Sequence, residues 1–242
     1  MMDAPSTLLL RAEWGGRRDS IDDCIEMMWK FLRRLAKYGG ILAGPWDSLK
    51  TPPGAFTTTI STRQSLAEDM RSSCFAGDGT VFGFTRNLGT AREEATARVT
   101  ILAALSDPEG GPTMVANSVL VEIDGDAQDL QTVLRIGADL VRDAVDVWRP
   151  DAASLDSPEL VNLGQQTRPG DLLPVIGFCS WLSQTVATPS DLPAAPISTP
   201  YADGTLIGID PGSDNPVEDA TELAKSIYGS GTLRPIPSSP EP

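Results

Sequence analysis

Apolar and polar residues first alternate at residues 7–14, where Leu8, Leu10, Ala12 and Trp14 share one side of an extended segment and Arg11 and Glu13 stand among the alternates. That pattern predicts a strand with one buried face. Beyond Gly15 and Gly16 the period lengthens: Ile21, Cys24, Ile25, Met28, Leu32 and Leu35 recur at helical spacing, opposite Asp22, Asp23, Glu26, Lys30, Arg33, Arg34 and Lys37. Ser20 with Asp23 reads as a capping box. The acidic-first, basic-last order suits the helix dipole, and Gly39 and Gly40 supply the stop.

The stretch 41–59 is rich in Gly, Pro and Thr and predicts a connecting loop anchored by Trp46; residues 62–72 have a weak helical pattern. Residues 80–85, 96–105 and 116–123 predict three strands of an antiparallel sheet. Asp126, with Asp129 three residues on, caps a second helix whose apolar stripe runs from Leu130 to Trp148, and Pro150 ends it. After a polar loop, residues 175–183 predict a strand, 189–200 a proline-rich crossing over the surface, and 205–209 another short strand. Asn215, Pro216 and Glu218 open a last helix through Tyr228. The fold class this implies is α+β: a mostly antiparallel sheet with about three main helices packed on it, one domain over residues 1–229, and a disordered Pro/Ser tail over 230–242. Trp14, Cys24, Leu32, Val121 and Trp148 are its expected core.

Composition narrows the chemistry. Of 242 residues 40% are hydrophobic and 21% charged, an ordinary globular balance. No apolar run approaches the roughly 20 residues of a bilayer span, so no membrane partner is expected. The N-terminal stretch has neither the basic region nor the apolar length of a signal peptide, which points to the cytoplasm. Cys24, Cys74 and Cys179 are widely spaced and form no CxxC pair, so they read as reduced and mostly buried. Lys and Arg total 19 against 33 Asp and Glu, a formal charge of −14 that repels nucleic acid and steers the chain toward a basic protein. The same acidity serves solubility equally well.

The sequence contains no histidine. Ser-His-Asp and Cys-His hydrolase machinery, HExxH zinc sites and histidine general bases are thereby excluded. The glycine groups at 15–16, 77–79 and 110–111 match no phosphate-binding spacing and read as turns. Asp19, Asp22, Asp23 and Glu26 match no calcium-loop spacing and read as a response to the helix dipole. Neither a metal nor any cofactor is expected, and catalysis gives way to binding.

Arg11-Ala12-Glu13-Trp14-Gly15-Gly16-Arg17, followed by Ser20, Cys24 and an arginine-bearing amphipathic helix, resembles the opening of the immunity protein 52 family. Residues 119–123 and the helix ending Val147-Trp148-Arg149-Pro150-Asp151 resemble its middle. Gly177-Phe178-Cys179-Ser180-Trp181-Leu182-Ser183 resembles its aromatic-rich strand, and Gly204-Thr205-Leu206-Ile207 with Asn215-Pro216 completes the order. The resemblance implies an immunity protein that binds and neutralises a cognate bacterial toxin, often a nuclease of restriction-endonuclease fold, by stoichiometric inhibition. An acidic inhibitor suits the basic groove of a nuclease. The expected contact residues are Asp19, Asp22, Asp23, Asp107, Glu109, Asp124, Asp126, Asp203, Asp210 and Asp214 at turns and helix starts, with the aromatic residues Trp181 and Tyr201; Trp46 is a further exposed-aromatic candidate. The alternative is a carboxylate-dependent hydrolase using a pair among Asp19, Asp22, Glu26, Asp78, Asp107 and Asp124.

Overall fold

The computed structural model describes residues 5–15, 19–48, 59–72, 74–76, 82–92, 95–104, 117–167 and 173–237. Along the chain run β1 (Thr7–Trp14), α1 (Ile21–Leu35), β2 (Trp46–Ser48), β3 (Thr59–Ile60), α2 (Arg63–Arg71), β4 (Cys74–Ala76), β5 (Phe82–Arg92), β6 (Ala95–Ala104) and β7 (Asn117–Asp124). There follow α3 (Ala127–Arg135), α4 (Gly137–Trp148), β8 (Ala152–Asp156), α5 (Pro158–Thr167), β9 (Cys179–Ser183), β10 (Ile197–Tyr201), β11 (Gly204–Gly208) and α6 (Pro216–Ser230). The class is α+β, with antiparallel strand pairing. Its contacts gather into two compact units: residues to Glu13 with Glu122–Ile236, and Trp14–Val121 with residues from Pro237 on.

In the first unit the strand order is β10-β11-β9-β8-β1. Register sets Leu9, Arg11 and Glu13 opposite Asp156, Ser154 and Ala152, so these six share a face; Leu8, Leu10, Ala12, Ala153 and Leu155 take the other. Helix α4 packs on β8 and β9 over the second face, with Gly137 close against Leu155. On the first face lies α6, whose Tyr228 hydroxyl accepts from the Ile176 amide at 3.0 Å, and α5 reaches that ring through Gly164. Strands covered on both sides need no alternation, and β8, β9 and β11 are buried at every position.

In the second unit β5 and β6 form a long hairpin, β2 and β4 pair with β5, and β3 pairs with β2. Trp46, Ile60, Leu88, Val99 and Ile101 are buried. Helix α1 begins at the expected capping box, with Ser20 Oγ accepting from the Asp23 amide at 3.1 Å and Asp23 Oδ2 accepting from the Ser20 amide at 3.2 Å. Its stripe of Cys24, Ile25, Met28, Phe31, Leu32 and Leu35 is buried.

Several expectations are corrected. Six α-helices stand among the described residues where about three main ones were expected. The predicted second helix breaks at Ile136, whose φ of −97° and ψ of 7° leave the helical region just before Gly137, a residue that adds no helix propensity of its own. The polar loop after Pro150 is strand β8 and helix α5, and the 41–59 loop contributes β2. The surface crossing ends in β10. Asn215 makes no side-chain cap, although Pro216 does occupy the first turn. Of the stretch expected as a tail, residues 230–237 are described: Leu233 and Ile236 are buried, and the Arg234 amide donates to the Val186 carbonyl at 2.8 Å, while 238–242 lie outside the described residues. All five expected core residues, Trp14, Cys24, Leu32, Val121 and Trp148, are at most 3% exposed.

Strand β10 ends the order of its unit, and its edge is managed. The two-residue turn at Ala202 and Asp203 makes Tyr201 and Gly204 a hydrogen-bonded pair, so in the observed register Ser198 and Pro200 turn their backbone polar groups outward. Pro200 therefore places its missing N–H on the open side, where an added strand would need a donor. Replacing Pro200 by threonine is expected to increase concentration-dependent self-association relative to the parent chain, measured by light scattering across a dilution series.

Candidate partner-binding site

The carboxylates chosen from sequence are mostly at the surface, but many already serve the fold. Asp23 closes the capping box of α1. Asp22 pairs with Arg71 at 2.5 Å and Glu26 pairs with Arg63, tying α1 to α2. For the hydrolase alternative this matters, because Asp22 and Glu26 face arginines rather than one another. Asp124 accepts from the Thr7 hydroxyl at 2.6 Å. Asp126 caps α3 by accepting from the Gln128 and Asp129 amides, each at 2.8 Å. Asp210 accepts from the Gly212 amide at 2.9 Å and so closes its own turn. Asp19 is half-buried, while Asp203 and Asp214 are exposed. Asp78, Asp107 and Glu109 lie outside the described residues.

The aromatic candidates are corrected in part. Trp181 is 1% exposed and Trp46 4%. Trp181 sits in β9, on a strand covered from both sides, and its indole N–H donates to the Tyr201 carbonyl at 2.8 Å; it is a core residue. Tyr201 alone of the three reaches solvent. Its hydroxyl donates to Asp146 at 2.7 Å, and the Arg142 guanidinium lies 5.7 Å from its ring centre while donating to Asp139 at 2.9 Å. Asp139, Arg142 and Asp146 recur on one exposed stripe of α4, a set the sequence reading passed over because it attended to the apolar stripe of that helix.

The groups whose acidity is most altered lie elsewhere. Asp156, fully buried in β8, has its carboxyl raised to about 7, chiefly by burial, with Arg11 pulling against it. Burial raises Glu13 as well, again opposed by Arg11. The Cys179 thiol is pushed up to about 12 by burial, so it remains a protonated, inert thiol. Cys24 is buried as well. Among the described residues, no three His, Cys, Asp or Glu side chains gather where they could hold a metal ion, and no helix is long and apolar enough to cross a membrane.

No protein-family model matches the chain, and no curated protein matches it. Among solved structures, the chain is similar to a Pseudomonas aeruginosa T6SS protein, PA0821, at 13% identity and a TM-score of 0.45, over 91% of this chain and 72% of that one.

Proposed function

We propose that this chain acts by stoichiometric binding to a protein, as an immunity protein that neutralises a cognate toxin. The toxin class that fits best is a nuclease of restriction-endonuclease fold, since such an enzyme presents a basic groove. The observation that carries the reading is the placement of charge. A chain of net charge −14 holds Asp22, Asp23, Asp126, Asp203, Asp210 and Asp214 exposed at helix starts and turns. Among the described residues, the strongly perturbed ionisable groups Asp156 and Cys179 are buried. Reactive chemistry is inside and charge is outside, the arrangement of a binder. The order of motifs that resembles the immunity protein 52 family supports the same role.

Exposed charges at an interface rim act mainly on the association rate. The partner to test is the toxin encoded beside this gene. A one-to-one complex that abolishes toxin activity is expected. Reversing Asp203, Asp210 and Asp214 to lysine together should slow association by roughly tenfold at low salt, with a smaller change in dissociation. Stopped-flow mixing at two ionic strengths measures this. A rate indifferent to salt would assign the acidity to solubility alone, and the absence of any complex would end the reading.

A further inference from the structure

The register of β1 on β8 brings three charged side chains together on one face of the first unit. Arg11 Nε lies 3.7 Å from Asp156 Oδ2, and Arg11 Nη1 lies 3.6 Å from Glu13 Oε1. Asp156 has no exposed surface, whereas the side chains of Arg11 and Glu13 are 20% and 22% exposed. Ser154 Oγ donates to Asp156 Oδ2 at 2.6 Å. Asp156 Oδ1 is buried without a hydrogen-bond partner, as are Arg11 Nε and Ser157 Oγ.

A single guanidinium therefore faces two carboxylates, and it meets the buried one at ion-pair rather than hydrogen-bond distance. An ionised Asp156 would hold its charge out of water with one short donor, a costly arrangement. Tyr228, the ionisable group on the helix above, offers no relief, because its hydroxyl accepts from Ile176 and lies 3.2 Å from the Pro174 carbonyl, to which it donates. The ionisable groups that bear on Asp156 are thus Arg11 and Glu13 on β1, and Tyr228 on α6.

We propose that Arg11, Glu13 and Asp156 form a proton-linked clamp between β1 and β8: the first unit takes up a proton on Asp156 as it folds and loosens as the pH rises from acid to neutral. The direction follows from linkage. In the folded chain the Asp156 carboxyl is raised from 3.8 to about 7. Between those values the folded state keeps a proton that the unfolded state releases. Stability is therefore fully present at low pH, falls as pH rises toward 7, and levels off above it. Glu13, raised in the same sense, extends the effect. The sequence has no histidine, so few other side chains change charge in this window.

The test is the folding equilibrium constant of the parent chain and of Asp156→Asn, from urea unfolding at about pH 5, 6, 7 and 8. Relative to the variant, the parent should lose up to about tenfold in that constant per pH unit below about 7, and then run parallel to it. Parallel curves throughout would overturn the clamp. Should the variant fail to fold, carbon-detected NMR of the Asp156 carboxyl in the parent chain gives the answer directly. A titration near neutrality that moves down in Glu13→Gln supports the proposal. A midpoint below about 5, close to that of an ordinary carboxylate, would sink it.

Discussion

Truncating Trp148 to alanine is expected to destabilise the chain by about 3 to 5 kcal/mol, the range for removing a buried tryptophan and leaving a cavity. Trp148 is fully buried at the end of α4, on the stripe that also carries Leu140, Val141, Ala144 and Val145. The next residue, Arg149, is in the left-handed conformation with φ of 46°, so the helix stops there and the ring is held at a fixed depth. Trp148 is among the largest fully buried side chains, which places the cost toward the top of the range. Urea unfolding followed by far-UV circular dichroism measures it, and a loss under about 1 kcal/mol would show that Trp148 does not organise this core.

The second large effect needs only one methyl group. A Cβ at Gly177 would stand 2.1 Å from the Leu155 carbonyl oxygen and 2.8 Å from Asp156 Cβ, so the obstacle is mostly backbone of β8 and cannot swing aside. The Gly177 amide also donates to Ser180 Oγ at 2.9 Å, and the following Phe178 amide donates to the Leu155 carbonyl at 2.8 Å. Gly177→Ala should therefore cost about 3 kcal/mol or more, the upper end for overpacking. Gly229 is the matched control. It lies near the end of α6 with nothing within 4 Å of a built Cβ, and Gly229→Ala should stabilise by up to about 1 kcal/mol. Thermal unfolding of both variants tests the pair, and equal effects would mean that the close approach at Gly177 is relieved by movement of the strands.

The helix α1 was legible because its apolar period, capping box and charge order all agree on one answer. Strand β8 was not. Its sequence, Ala-Ala-Ser-Leu-Asp, is buried at every position, so it shows no alternation, and its small and polar residues look like loop. With β8 unseen, the approach of Asp156 to Arg11 and Glu13 had no signal in sequence, since it depends on pairing Leu9 with Asp156 across most of the chain. The same blindness displaced Trp181. An aromatic residue reads alike in a core and at an interface, and only the strands and helix around β9 decide between them. Acidic residues at turns were legible as exposed, but not which of them the fold already employs. Asp22 and Glu26 are paired by arginines of α2, far along the chain.

The antiparallel partnership of β1 with β8 also sets an order of events during synthesis. Translation proceeds at about 5 to 20 residues per second, so β1 leaves the ribosome on the order of ten seconds before β8. In that interval Leu8, Leu10 and Ala12 have no Ala153 or Leu155 beside them, and Arg11 has no Asp156. The closing loop is long, and long-range pairing of this kind is slow. The pairing of β1 with β8 is thus completed only after residues 152–156 have been made.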